Sequence, residues 1–148
     1  METSKQKLGT FGEKAVTKHC YCPKCKKLNT LKLLPKNFKC ADVICDFCGY
    51  LAQVKSKAVQ DINRIPQQIL GAAWNPQRER MEAGIYFPLF IVLVYNKKYS
   101  IFYLSADLQV PEMFVAREPL SAKAIRAGWQ GFIYDMEQVP RGAVVRLV

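Results

Sequence analysis

The chain has 148 residues, half of them hydrophobic, with a formal net charge of +10, which is enough for one domain over 1–148 and too little for two comfortable ones. A membrane-spanning helix of about twenty apolar residues is excluded, because the longest apolar run, Ile85 to Val94, is shorter and is interrupted by Pro88. The polar, charged start Met1 to Lys7 has no apolar signal core behind it, so no export is expected and the protein is placed in the cytoplasm.

In chain order, Lys5 to His19 sets Leu8, Phe11, Ala15 and Val16 at helical spacing among lysines and predicts an amphipathic helix. Leu31 to Leu34 is a short apolar run closed by Pro35, and Asn37-Phe38-Lys39 reads as a turn into a strand over Ala41 to Ile44. Tyr50 to Lys57 alternates, with Leu51, Gln53, Lys55 and Lys57 on one face and Ala52, Val54 and Ser56 on the other. Asp61 to Trp74 has helical composition interrupted by Pro66, and Asn75 to Gly84 reads as a loop or short helix. Leu89 to Tyr95 and Tyr99 to Leu104, split by Asn96-Lys97-Lys98, predict a hairpin at the centre of a sheet. Ser121 caps a predicted helix through Ala127 with Gly128 behind it, and strands are expected near Gln130 to Tyr134 and Ala143 to Val148.

The charge is unevenly spread. Residues 1–40 hold ten lysines against Glu2 and Glu13, and the remainder holds twelve basic and ten acidic residues. Such a surface favours a polyanion, nucleic acid first, although a solvated lysine face explains it as simply.

Six cysteines in a chain with no secretion signal point to thiols or metal ligands rather than disulfides. Cys22-Pro-Lys-Cys25 and Cys45-Asp-Phe-Cys48 form two CxxC knuckles nineteen residues apart, a zinc spacing. Two knuckles meeting face to face close a tetrahedron, so the predicted site, a zinc ribbon over 20–50, is structural rather than catalytic. Cys20, Cys40 and His19 have no such internal pairing and stand as the alternative ligands.

Asp42 lies three residues before Cys45, and Gln53-Val54-Lys55 follows Cys48 in the alternating strand. The second knuckle is then the tip of a hairpin, and a strand crossing from Asp42 brings its carboxylate beside Gln53 and Lys55. Singly, Asp42 reads as a turn residue and Lys55 and Lys57 as solvent-facing edge positions; together they read as an active site. Trp74, Trp129, Phe132 and Tyr134 read as packing residues rather than stacking platforms.

Tyr21-Cys22-Pro-Lys-Cys25, Ala41-Asp42 through the second knuckle to Lys55-Ser56-Lys57, and Pro119-Leu120 through Arg126-Ala127-Gly128-Trp129 to Gln138-Val139-Pro140 resemble the PD-(D/E)XK nuclease superfamily and, within it, the DpnI-like Dam-replacing endonucleases. The resemblance implies an α/β fold of the α+β kind, a restriction-endonuclease-like mixed sheet flanked by helices with an inserted four-cysteine zinc ribbon. It implies DNA phosphodiester hydrolysis with magnesium at Asp42 and Gln53, Lys55 orienting or activating water, and Glu13 adding a carboxylate. Lys57, Lys123 and Arg126 are the candidate DNA contacts, against the plainer reading of solvated faces. Position 53 is Gln where such relatives carry Glu, and methyl-dependent recognition is expected from a partner or further domain. The competing reading is a non-catalytic zinc-ribbon module that binds nucleic acid, followed by a zinc-stabilised protein-interaction domain.

Overall fold

The computed structural model describes residues 3–36, 38, 40–117 and 131–148, with the backbone alone at 72–74. The elements in order are α1 (Ser4–His19), β1 (Leu31–Leu33), β2 (Val43–Cys45), β3 (Leu51–Ala58), β4 (Gln68–Ala73), α2 (Trp74–Glu82), β5 (Leu89–Tyr95), β6 (Lys98–Leu104), β7 (Phe114–Ala116), β8 (Gly131–Asp135) and β9 (Val145–Arg146). A six-stranded mixed sheet runs β1-β2-β3-β5-β6-β9, and a three-stranded antiparallel sheet runs β4-β8-β7. Only the β3–β5 pairing in the larger sheet is parallel. The architecture is therefore mixed α+β, with two α-helices among the described residues, and the α+β class agrees with expectation.

α1 begins where Thr3 and Gln6 cap each other reciprocally: the Gln6 amide donates to Thr3 Oγ1 at 3.2 Å and the Thr3 amide to Gln6 Oε1 at 2.8 Å. It buries Ala15 and Val16 against Ala52 and Val54 of β3 and Phe90 and Val92 of β5. Gly12 lets the helix approach β3 closely, since a Cβ there would collide with Ser56 Oγ. The opposite face of the sheet, Leu89, Ile91, Leu93, Phe102 and Leu104, packs on Ile69, Phe114, Phe132 and Tyr134 of the smaller sheet. Because β5 is covered on both faces, its sequence is continuously apolar rather than alternating. Phe132 and Tyr134 are each 1% exposed, so their reading as packing residues holds.

Three expectations change. Asp61 to Trp74 is not helical: β4 occupies Gln68–Ala73, and the helix starts only at Trp74. Helix-favouring composition is overridden here by long-range pairing of β4 with β8 and by burial of Ile69, 2% exposed. β7 was not foreseen, because three residues carry too little alternation to be read. The C-terminal strand is only Val145–Arg146. Asn96, with φ 54°, makes the two-residue turn between Tyr95 and Lys98, where a hairpin is expected. The predicted helix from Ser121, with Lys123, Arg126 and Trp129, lies outside the described residues.

Candidate active site and metal centre

The two knuckles are built alike. In the first, the Lys26 amide donates to the Cys22 carbonyl at 2.8 Å and the Cys22 amide to the Lys27 carbonyl at 3.0 Å. In the second, the Gly49 amide donates to the Cys45 carbonyl at 2.9 Å and the Cys45 amide to the Tyr50 carbonyl at 2.8 Å. Both turns need a left-handed residue after the second cysteine, supplied by Lys26 at φ 65° and Gly49 at φ 80°. The four sulfurs lie within 4.8 Å of one another, with Cys22 to Cys48 at 3.6 Å and Cys25 to Cys45 at 3.7 Å. Sulfurs held tetrahedrally at about 2.3 Å from one zinc ion lie about 3.8 Å apart. Cys22, Cys25, Cys45 and Cys48 can therefore hold a zinc ion, and Cys20, Cys40 and His19 are not in the cluster.

The thiols are not equivalent before metal binds. Burial pushes Cys22 up to about 12. At Cys45 burial acts the same way, but the Thr30 hydroxyl and the amides of Cys48 and Phe47 outweigh it and bring the thiol down to about 6. Cys45 is thus partly preset as thiolate, and closure around a cation must expel the proton of Cys22.

The second cluster sits where the hairpin opens. β2 and β3 pair from Ile44–Leu51 to Val43–Ala52, and the Asp42 amide still donates to the Ala52 carbonyl at 2.9 Å. Beyond that the strands part, because the Asp42 carbonyl turns to accept from the Leu34 amide at 2.9 Å. Asp42 Oδ2 takes over the role of backbone acceptor and receives the Val54 amide at 2.7 Å. The carboxylate is thereby fixed at the fork between β2 and β3, next to the Gln53-Val54-Lys55 segment.

Three charged groups meet there. Burial lowers the pKa of Lys55, and Asp42 and Glu13 push it back up. Glu13 is raised by burial and then by Asp42, with Lys55 and Lys36 opposing. Glu13, Asp42 and Lys36 line one cavity of about 450 Å³. Two carboxylates that repel each other across one cavity, with burial raising the pKa of Glu13, form a donor set that a hard dication suits.

Gln53 is placed differently from its neighbours. It is 5% exposed, its Nε2 donates to Gln77 Oε1 at 2.9 Å, and its Oε1 accepts the Tyr134 hydroxyl at 2.6 Å. Tyr134 also feels Asp42, which together with burial raises its pKa. The amide is thus oriented with its oxygen toward the Tyr134 hydroxyl, one lone pair already used. Lys57, on the same face as Gln53, donates to the Gln68 carbonyl at 2.7 Å.

The DpnI, Dam-replacing family profile matches residues 1–148. The chain belongs to the Dam-replacing family. Membership implies a restriction-type nuclease of the DpnI kind, with DNA as its substrate. Among the described residues of this Dam-replacing chain, no helix is long and apolar enough to cross a membrane.

The fold brings Glu13, Asp42 and Lys55 into mutual electrostatic reach, with Gln53 adjoining them, while Lys123 and Arg126 lie outside the described residues. Sequence reasoning missed Gln77 and the polar role of Tyr134. Gln77 is 3% exposed in a stretch that reads as polar surface, and no local signal marks it. Tyr134 carried one usable cue, since a buried tyrosine hydroxyl must find a partner.

Proposed function

We propose that the protein is a divalent-metal-dependent endodeoxyribonuclease of the PD-(D/E)XK type, with Asp42, Gln53 and Lys55 as its motif and Glu13 as an additional carboxylate. The observation that supports this best is the electrostatic coupling of Glu13, Asp42 and Lys55 at the fork between β2 and β3, within a chain of the Dam-replacing family. Asp42, Glu13 and the Gln53 amide oxygen are the groups that would hold magnesium. Bound there, magnesium would neutralise charge on the scissile phosphate and lower the pKa of a ligated water. Asp42, locked by the Val54 amide, keeps its orientation through turnover. Lys55, its pKa lowered by burial, orients the attacking water and accepts its proton as the oxygen adds to phosphorus and the opposite P–O bond breaks. Tyr134 and Gln77 hold the Gln53 amide in one rotamer. Four cysteines around a structural zinc complete the assignment, and Lys57, Lys123 and Arg126 are DNA contacts in this reading.

One observation favours a second reading. Both polar atoms of Gln53 are already engaged, and the ribbon presents Lys27 at 4.4 Å over the ring of Phe47, itself 65% exposed. A non-catalytic nucleic-acid-binding module would use such a surface. Incubation of the purified chain with methylated and unmethylated plasmid, with and without magnesium or manganese, separates the two. The nuclease reading expects metal-dependent nicking or cutting that is lost in Asp42→Asn; binding without cutting under every metal condition would give the second reading the lead.

A further inference from the structure

Two glycines in α1 have opposite surroundings. Gly12 is needed by the fold, since a side chain there would strike Ser56 of β3, whereas among the described residues a Cβ at Gly9 would meet nothing within 4 Å. Glycine inside a helix costs stability relative to alanine, and no packing contact at Gly9 requires it. Gly9 lies between two cavities and, among the described residues, is the one that lines both. The first, about 450 Å³, holds Glu13 and Asp42; the second, about 850 Å³, holds Lys55 and Lys57. Glu13 is four residues on from Gly9 and so stands on the same helix face.

We propose that the substrate's phosphodiester backbone crosses α1 at Gly9, passing from the carboxylate cavity to the lysine cavity, and that Gly9 is a positioning residue kept bare for that crossing. The inference rests on the nuclease reading above. A strand that spans both cavities presents the scissile phosphate to the Asp42 and Glu13 side, with Lys55 beside it, and an adjoining phosphate to Lys57 of β3. The ridge between them must then be low enough for sugar and phosphate to lie against helix backbone. A side chain at position 9 costs the folded protein nothing and lifts the strand away from Asp42.

The test compares full-length wild type, Gly9→Ala and Gly9→Leu in thermal melting and in steady-state cleavage of plasmid DNA. Thr17→Ala serves as a control, because Thr17 lies at the far end of α1 and borders neither cavity. Both glycine variants are expected to melt at or above the wild-type temperature while KM rises. The loss in kcat/KM is severalfold for Gly9→Ala and on the order of a hundredfold for Gly9→Leu. Thr17→Ala is expected to keep wild-type kinetics. Wild-type KM and kcat in Gly9→Leu, or a lowered melting temperature in both glycine variants, overturns the crossing. If the wild type never cleaves, or Asp42→Asn cleaves as well as it does, the nuclease reading falls and the crossing with it. Cleavage that Asp42→Asn abolishes and Gly9→Leu leaves intact overturns the crossing alone.

Discussion

Gln53→Glu places a carboxylate where Tyr134 donates at 2.6 Å and where Gln77 Oε1 accepts at 2.9 Å. The tyrosine bond survives and becomes charge-assisted. The Gln77 contact becomes two opposed oxygens until that amide turns over to present its nitrogen. Position 53 is 5% exposed, so the metal-free variant buries an acid, and its pKa is expected to rise about two units above the ordinary 4.3. A raised folded-state pKa leaves the protonated form untouched and removes stability as the pH climbs through the window between the unfolded and folded values. The deficit therefore opens between about pH 4 and 6.5 and reaches about 2.7 kcal/mol at pH 7, or roughly 5 to 11 °C in melting temperature for a chain of this size. Magnesium at a hundred times its Kd returns about 2.7 kcal/mol, which closes the gap. Melting of both proteins from pH 4 to 8, in EDTA and in magnesium, and magnesium calorimetry measure each part. Equal magnesium binding by the two proteins refutes Gln53 as a ligand, and equal melting in EDTA at pH 7 refutes the buried-acid argument.

Four further outcomes are expected. Asp42→Asn, which keeps an acceptor for the Val54 amide, loses at least about a hundredfold in cleavage with little change in melting, whereas Asp42→Ala strands that amide and also loses about 1–3 kcal/mol of stability by denaturant titration. Lys55→Met abolishes cleavage yet raises the melting temperature, because burial lowers the lysine's pKa and a lysine pKa depressed in the folded state costs stability below the unfolded value; a lowered melting temperature would contradict this. Glu13, raised above its ordinary value, must lose its proton to ligate a cation, so magnesium affinity falls on acidification from above the usual carboxylate range, and Glu13→Gln removes that dependence in a pH series of titrations. Elemental analysis finds one zinc per chain, and the Cys22→Ser, Cys45→Ser double variant loses both the metal and the cooperative melting transition.

The elements that sequence made legible are those whose burial has a regular period. Of the helix face Leu8, Phe11, Ala15 and Val16, the last two enter the core while Phe11 stays 42% exposed against the edge of Tyr99, and Ala52 and Val54 against Gln53 and Lys55 mark two strand faces; each periodicity is a local record of what lies on either side. The knuckles were legible because a chelating turn fixes spacing within four residues. β4 was not, since Gln68–Ala73 owes its extended form to β8, more than fifty residues away. The Gln77–Gln53–Tyr134 chain was hidden for the same reason: each hydrogen bond joins residues at least twenty-four apart. Asp42 was readable as a candidate from its spacing, but its bond to the Val54 amide depends on where β2 leaves β3, which three strand residues do not encode.

The zinc cluster and the candidate active site are joined by chain geometry. Asp42 stands three residues before Cys45, Lys55 seven after Cys48, and Glu13 nine before Cys22 on the helix that leads into the first knuckle. Every segment that contributes a charged group to the fork thus ends in a cysteine of the same cluster. β1 and β2 are three residues each, too short to hold a hairpin in register against β3 by ladder bonds alone. A tetrahedral ion at the tip would fix the hairpin's twist and the position of the first knuckle against α1, and so where Asp42 leaves the strand relative to Glu13. Displacement of about 1 Å is enough to cost two orders of magnitude in rate. A zinc ion there would need no contact with substrate to influence the proposed cleavage: it would act by holding three otherwise independent segments to one geometry about the fork.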